Sequence, residues 1–319
     1  MQVKKIHHPY QPADLHTDEI VLILGFFDGV HRGHAKVIEE GVQLAQEQGL
    51  TSVVMTFNRH PSLVYQKYDP SRHAYLTTRE RKLDLIERLG VDILYEMDFT
   101  SSLGALTPEE FVQDYMVDWH AKYVVAGFDY TYGKKDIANM ERLPKLAQGR
   151  FEVKTVQMHS DDQGKISSTR IRQLIANGQV KEANQLLGYY YETSGYVIHG
   201  EARGRDLGYP TANIEPHPQV FLPGVGIYTV AIEVNGQWYG GMASIGYNVT
   251  FGFRNNQSIE VNIFDFDQMI YGENVRIKWL DYLRSEEKFD SSQDLIDQLG
   301  KDQKDSEKRL ADLDPDCLY

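Results

Sequence analysis

The stretch Gly25-Phe26-Phe27-Asp28-Gly29-Val30-His31-Arg32-Gly33-His34 restricts the fold more than any other part of the chain. It follows Ile20-Val21-Leu22-Ile23-Leu24, an unbroken apolar run of the kind a buried parallel strand needs. It precedes a segment in which Val37, Ile38, Val42 and Ala45 fall on one helical face. The order is therefore strand, glycine turn and helix N-terminus, where unpaired backbone N–H groups favour phosphate. Two histidines three residues apart at that terminus can both face a nucleotide, as cations or as N–H donors to a departing pyrophosphate. Gly33 between them lets phosphate approach the backbone. A helix cap with two surface histidines, or a metal site, would use the same pair. The strand, the glycines and Asp28 together favour nucleotide handling.

The rest of the first half repeats the strand–helix alternation. Residues 1–19 read as an edge strand and a polar loop. Further strands are expected at Ser52–Phe57, Val91–Tyr95, Tyr123–Gly127 and Phe151–Val156. Thr77 or Thr78 can cap a helix carrying Leu83, Ile86 and Leu89 and ending at Gly90. Thr107-Pro108-Glu109-Glu110 is a capping box that opens a helix with Phe111, Tyr115 and Trp119 on one face. This is the pattern of a doubly wound parallel sheet, whose ligands sit at the C-terminal strand ends. With no Walker A sequence and no GxGxxG turn in the chain, the phosphate site falls to the histidine turn. Two more strand ends suit it. Gly127-Phe128-Asp129 follows the fourth, where a turn with a capping aspartate is an equal alternative. Ser168-Thr169-Arg170 opens a helix after the fifth, offering hydroxyls, dipole and guanidinium to a triphosphate, or ordinary capping and a solvated arginine.

The period changes after a short helix, Val180–Leu187, and we place the boundary there, with one domain over 1–187 and another over 188–319. Strands are expected at Thr193–His199, at Gly226–Val234 and Gln237–Ile245 around the hairpin turn Asn235-Gly236, and around Ile259–Ile263 and Val275–Trp279. That is antiparallel β, a small barrel closed by a C-terminal helix carrying Leu295, Ile296 and Leu299. The glycine-rich, basic stretch from Gly200 to Asn213 can fold over phosphates or be a flexible turn. Thr211 and Asn213 put two hard oxygens on one side of an extended segment, which suits Mg²⁺ beside substrate phosphates. Glu260, in an apolar-alternating strand, is either ion-paired or a general base. From Ser285 onward there are eleven acidic and five basic residues, read as a solvated helix and tail.

Composition narrows the partners. The chain has 319 residues, 41% hydrophobic and 25% charged, with a net charge of −13, which argues against nucleic acid or an anionic membrane as the main partner. One cysteine, Cys317, excludes an intrachain disulfide and a cysteine-based metal site, and no apolar run nears the ~20 residues of a membrane span. A cytoplasmic location is expected.

Gly-Phe-Phe-Asp-Gly-Val-His-Arg-Gly-His resembles the signature of the bacterial bifunctional riboflavin kinase/FMN adenylyltransferases, members of the HxGH nucleotidyltransferases. Gly204-Arg205-Asp206-Leu207-Gly208-Tyr209-Pro210-Thr211-Ala212-Asn213 resembles their kinase module, so the likeness spans nearly the whole chain in the same domain order. It implies an α/β nucleotidyltransferase-like doubly wound sheet followed by a small antiparallel β-barrel with a C-terminal helix. It implies phosphorylation of riboflavin to FMN and adenylylation of FMN to FAD, with ATP as co-substrate and Mg²⁺ as cofactor. For the adenylyltransferase, His31, His34 and Arg170 would be catalytic. Gly25, Phe26, Asp28, Gly33, Gly127, Asp129, Ser168 and Thr169 would bind ATP, and Asn58, His60 and Pro61 would line the flavin. For the kinase, Gly204, Arg205, Gly208, Pro210, Thr211 and Asn213 would bind ATP, with Mg²⁺ on Thr211 and Asn213. Glu260 would deprotonate the ribityl hydroxyl and Arg284 would hold the flavin.

The chain departs from the family pattern on the flavin side. Arg59 stands where Pro-His-Pro is usual, and Asp136 to Met140 lack a common glycine. Ser244 and Val249 replace Asn and Pro of the usual Asn-Ile-Gly and Asn-Pro-Thr, and Asn262 stands where histidine is common. Two other readings differ in class. A nucleotidyltransferase acting on a pantetheine or cytidylyl substrate would not need the Gly204–Asn213 stretch. A flavin-binding regulatory or carrier protein would not need His31, His34 and Glu260.

Overall fold

Strands β1 (Gln2–Ile6), β2 (Ile20–Leu24), β3 (Thr51–Phe57), β4 (Ile93–Met97), β5 (Ala121–Gly127) and β6 (Glu152–Val156) form one sheet, every neighbouring pair parallel. The computed structural model describes residues 1–67, 69, 73–157, 159–162, 164–200, 204, 207–247 and 257–313. The strand order is β1-β4-β3-β2-β5-β6. Successive strands therefore run outward from β2 in one direction and then the other, and the crevice beyond β2 and β5 is the switch point where such sheets bind ligands.

All five residues of β2 are buried, because the sheet is covered on both faces. Leu22 and Leu24 enter one core with Phe111, Tyr115 and Trp119. Val21 and Ile23 enter the other, with Ile38, Val42, Ala45 and Ile86. The helices in chain order are α1 (Arg32–Gln48), α2 (Ser62–Tyr65), α3 (Arg79–Arg88), α4 (Ser101–Gly104), α5 (Pro108–Val112), α6 (Leu143–Ala147), α7 (Ser168–Ala176), α8 (Val180–Leu187) and α9 (Ser292–Ala311). The capping box at α5 forms: the Glu110 N–H donates to Thr107 Oγ1 at 3.2 Å and the Thr107 N–H to Glu110 Oε2 at 2.8 Å. That helix runs on as a π turn over Gln113–Val117. A two-stranded ribbon, β7 (Ser160–Asp161) and β8 (Gly164–Lys165), follows β6.

Strands β9 (Tyr191–Ile198), β10 (Ala212–Pro216), β11 (Gly226–Val234), β12 (Gln237–Tyr247), β13 (Gln257–Ile263) and β14 (Asn274–Arg284) close into an antiparallel barrel, in the order β10-β13-β12-β11-β14-β9. Asn235 and Gly236 take φ of 51° and 83°, the left-handed pair a two-residue hairpin requires, and Val234 pairs with Gln237.

By packing, the chain divides after Ser167, with Tyr75–Thr78 joining the second unit. The change of hydrophobic period lies later, near residue 187. The physical reason is that α8 buries Val180, Ala183, Leu186 and Leu187, and its Asn184 bridges barrel strands. Asn184 Nδ2 donates to the Trp279 carbonyl at 2.9 Å, and its Oδ1 accepts the Tyr191 N–H at 2.7 Å. Helix α9 differs from its reading as a solvated element, since Asp302 and Ser306 are among its buried residues.

Candidate active sites

The turn after β2 leads into α1 with His31 as its N-cap: His31 Nδ1 accepts the His34 N–H at 3.3 Å. The i, i+3 spacing then stacks the two imidazoles, with centroids 3.6 Å apart and planes 18° from parallel. Gly33 keeps this stack open; a Cβ there would lie 3.2 Å from the His31 ring. Phe27 and Val30 take φ of 55° and 33°, conformations costly for side-chain-bearing residues, so the turn is held in a strained shape. Gly25 must lack a side chain, because a Cβ would come within 2.4 Å of the Phe27 ring.

Burial pushes the His31 imidazole down to about 4 and that of His34 well below the usual range, aided in His34 by the neighbouring His31. Of the two protonation states open from sequence, burial favours the neutral rings. His34 Nδ1 is buried with no hydrogen-bond partner among the described residues.

Asp129, at the end of β5, pairs with Lys165 from β8, whose ammonium also lies 4.9 Å from the centre of the Phe128 ring. The positive charge of Lys165 reaches both histidines. At the end of β3, His60 meets the Phe26 ring edge-on at 5.0 Å and is oriented by Ser62 Oγ at 2.7 Å from its Nδ1. Ser62 Oγ in turn lies 3.2 Å from Nε2 of the buried His73. Asn58 donates to Asp98 Oδ1 at 2.5 Å and accepts the Phe99 N–H at 3.3 Å, which fixes the β3 and β4 ends side by side. Gly25, Phe26, Asp28, Gly33, Gly127, Asp129, Asn58, His60 and Pro61 thus all lie in the first unit with the histidine pair. Ser168, Thr169 and Arg170 open α7, which belongs to the second unit by packing.

In the barrel, Asn213 on β10 stands directly across from Glu260 on β13, and Ser244 on β12 stands across from Glu260 on the other side. Ile259 and Val261 fill the core, so Glu260 lies on the opposite face of its strand rather than in the apolar interior. Its Oε2 accepts the Thr211 hydroxyl at 3.3 Å. Asn262 Nδ2 donates to the Pro210 carbonyl at 2.7 Å, giving this departure from the family pattern a definite job in holding the Pro210-Thr211 segment. Glycine is required at two points of close approach. A Cβ on Gly200 would meet Asn213 Nδ2 at 2.2 Å, and one on Gly204 would meet the Tyr209 carbonyl at 2.3 Å. Gly208 takes φ of 82°. Arg205 and Val249 lie outside the described residues.

Arg284 has its guanidinium on Asp302: Nη2 at 2.7 Å from Oδ2 and Nε at 3.0 Å from Oδ1. This pair clamps α9 to β14. Buried beside it along α9, Ser306 meets Thr229 Oγ1 at 3.1 Å. Sequence reasoning missed Asp302, Lys165, His73 and Lys82. For Asp302 a signal existed, since Leu295, Leu299, Asp302 and Ser306 continue one 4-3-4 stripe. Lys82 falls four residues before Ile86, on the buried side of α3.

A parallel sheet with a histidine-pair turn at its switch point and a separate barrel with a hydroxyl–amide–carboxylate cluster define a two-module nucleotide-dependent transferase. Family models match both parts: FAD synthetase over residues 14–170 and riboflavin kinase over residues 187–310. The chain is 46% identical over 314 residues to the bifunctional riboflavin kinase/FMN adenylyltransferase of Listeria monocytogenes, covering 98% of this chain and 100% of the relative. It is 40% identical to that of Bacillus subtilis (98% and 99% covered) and 32% identical to that of Escherichia coli K12 (89% and 90% covered). A solved structure from Streptococcus pneumoniae, described as a macrolide-efflux protein, superposes with a TM-score of 0.87 at 41% identity, over 95% of this chain and 98% of that one. Among the described residues no helix is long and apolar enough to cross a membrane. The chain belongs to the bifunctional riboflavin kinase/FMN adenylyltransferase family.

Proposed function

We infer that the chain phosphorylates riboflavin with ATP to give FMN and ADP, and adenylylates FMN with a second ATP to give FAD and pyrophosphate. The observation that carries this is the match to both activities' family models, in order, with relatives covered end to end. In the kinase step Glu260 accepts the proton of the ribityl 5′-hydroxyl as its oxygen attacks the γ-phosphorus and ADP departs. Gly204, Gly208, Pro210 and Arg205 are proposed around the nucleotide, and Arg284 on the flavin side. Asn213 on β10 pairs across from Glu260, and Thr211, just before β10, donates to the same carboxylate, so the oxygens of Thr211 and Asn213 are gathered as the hard donors that Mg²⁺ accepts together with substrate phosphates. Mg²⁺ held by Thr211 and Asn213 would neutralise charge on the transferred phosphoryl group.

In the adenylyl transfer a phosphate oxygen of FMN attacks the α-phosphorus of ATP, and the bond to the β-phosphate oxygen breaks. Neutral His31 and His34 donate N–H to the charge that grows on the departing pyrophosphate. Gly25, Phe26, Asp28, Gly33, Gly127 and Asp129 are proposed around the nucleotide, and Asn58, His60 and Pro61 at the flavin. Ser168 and Thr169, at the start of α7, are proposed as further triphosphate contacts, and the Arg170 guanidinium is proposed to stabilise the departing pyrophosphate beside the histidines. We take 1–187 and 188–319 as the functional modules. The single cysteine suits a reducing compartment, and the cytoplasm is the one proposed. The acidic balance makes nucleic acid an unsuitable partner.

Chromatography of riboflavin, ATP and Mg²⁺ incubated with the wild type, with His31→Ala and with Glu260→Ala tests the assignment. His31→Ala should accumulate FMN without FAD, and Glu260→Ala should form no FMN yet still adenylylate added FMN. FAD formation by His31→Ala at the wild-type rate would refute the role of the turn.

A further inference from the structure

Lysine is almost never buried without partners, because removing an ammonium from water is costly. Lys82, on α3, is 7% exposed and its Nζ donates to the Phe57 carbonyl at 3.0 Å and to Thr56 Oγ1 at 3.3 Å. The Thr56 hydroxyl spends its own proton on the Phe26 carbonyl at 2.9 Å, so it can only accept from Lys82. The direction of the chain is thereby fixed: Lys82 to Thr56 to Phe26. The same ammonium lies 5.0 Å from the centre of the Phe26 ring. The charged groups around it are Asp28 and Glu96, which favour its protonation, and Arg79, which opposes it. Arg79 is itself held by Glu96 through Nε at 2.6 Å and Nη2 at 2.7 Å. His34 also lies within the field of Lys82.

Phe26 is the residue immediately before the strained segment. Phe27 and Val30 hold positive φ, and such conformations persist only where the surroundings over-determine them. Thr56 and Phe57 end the strand whose next residues are the flavin-side turn Asn58–Pro61. One buried cation therefore ties together the end of β3 and the turn that carries the histidines. We propose that Lys82 is a positioning residue for adenylyl transfer, which through Thr56 locks the Phe26–Val30 turn in the shape that presents His31 and His34 to the triphosphate. This rests on the adenylyltransferase reading of the first unit. The Lys82 ammonium is engaged by the Phe57 carbonyl and the Thr56 hydroxyl, so its effect travels through the turn.

The test uses the full chain and four variants: Lys82→Met, Lys82→Gln, Thr56→Val and the double variant Lys82→Met/Thr56→Val. FAD formation from FMN and ATP is followed with kcat and KM for ATP separated, and riboflavin phosphorylation is measured on the same samples. Loss of positioning should lower the adenylyl-transfer kcat of Lys82→Met about 10- to 100-fold, with KM for ATP changed far less. Lys82→Gln, which keeps a donor, should recover part of that loss, and the kinase rate should not change. Because the two groups act in one chain, the double variant should lose no more than the worse single one. Wild-type kcat in Lys82→Met, or losses that multiply in the double variant, would overturn the proposal. Should Lys82→Met fail to fold, Thr56→Val decides alone, and a wild-type kcat there overturns it. A wild type that makes no FAD from FMN and ATP refutes the underlying reading instead, and is distinguished by needing no variant.

Discussion

The neutral state of His31 can be measured and has a calculable cost. Burial lowers its imidazole from 6.5 to about 4, so the folded protein binds fewer protons there than the unfolded chain between those values. Stability from this group is complete above pH 6.5 and is lost as pH falls through the folded value. Linkage gives a loss of about 2 kcal/mol by pH 5 and about 3 kcal/mol by pH 4, relative to neutral pH. Proton NMR of the histidine ring signals between pH 3.5 and 8, assigned by the line absent from His31→Asn, reads the titration directly. Denaturant unfolding of the first unit, followed at the same pH values in both proteins, reads the free energy. The wild type should lose about 2 kcal/mol more than His31→Asn between pH 7.5 and 5. Added ATP should move the His31 titration upward, because phosphate charge favours the imidazolium. A free-protein titration near 6.5 would refute the argument that these rings are desolvated N–H donors. An unchanged titration with ATP bound would separate them from the phosphates.

Three further outcomes concern the barrel. Gly200→Ala places a Cβ 2.2 Å from Asn213 Nδ2, so Asn213 must move, and riboflavin phosphorylation should fall at least about tenfold while added FMN is still adenylylated. Asn262→Ala removes the donor to the Pro210 carbonyl and should cost the barrel about 1–3 kcal/mol, with a raised KM for ATP in the kinase assay. Asp302→Ala strands the Arg284 guanidinium and should destabilise the barrel by about 3–5 kcal/mol, read as a lower melting transition of that unit, with Asp302→Asn milder.

The fold was legible wherever a local rule suffices. Ile20–Leu24 could only be a strand covered on both faces, Thr107 and Glu110 form the cap their spacing announces, and Asn235-Gly236 forms its hairpin. The histidine pair was legible because one helical turn brings i and i+3 together whatever surrounds them. The state of its protons was not, since that depends first on burial, with Phe27 packed against His34, and then on the charge of Lys165, which comes from a distant part of the chain. The alternation of Glu260 with Ile259 and Val261 gave its face, but not its neighbours, since Asn213 and Ser244 come to stand across from it only through strand register.

Lys82 and Asp302 share the reason they escaped notice. Each is a charged residue on a helix whose apolar stripe is otherwise regular, and the default for such residues is solvent. Their burial is tolerated because the counter-groups come from distant segments. Thr56 and Phe57 serve Lys82, and Arg284 serves Asp302. A polar contact of that kind depends on direction and distance, whereas hydrophobic contacts need only rough position, so a buried ion specifies one arrangement of its element. In the first unit that element is the α3 face beneath the Phe26–Val30 turn. In the second it is α9 against the strand that ends in Arg284. Each of these two ions thus lies beside a segment assigned to substrate. Exchange of Lys82, whose partners are a carbonyl and a hydroxyl, for a well-packed apolar residue should spare the fold more than it spares catalysis. Exchange of Asp302 instead leaves Arg284 without its carboxylate and should cost the fold first, a difference that melting and turnover measured on the same variants would expose.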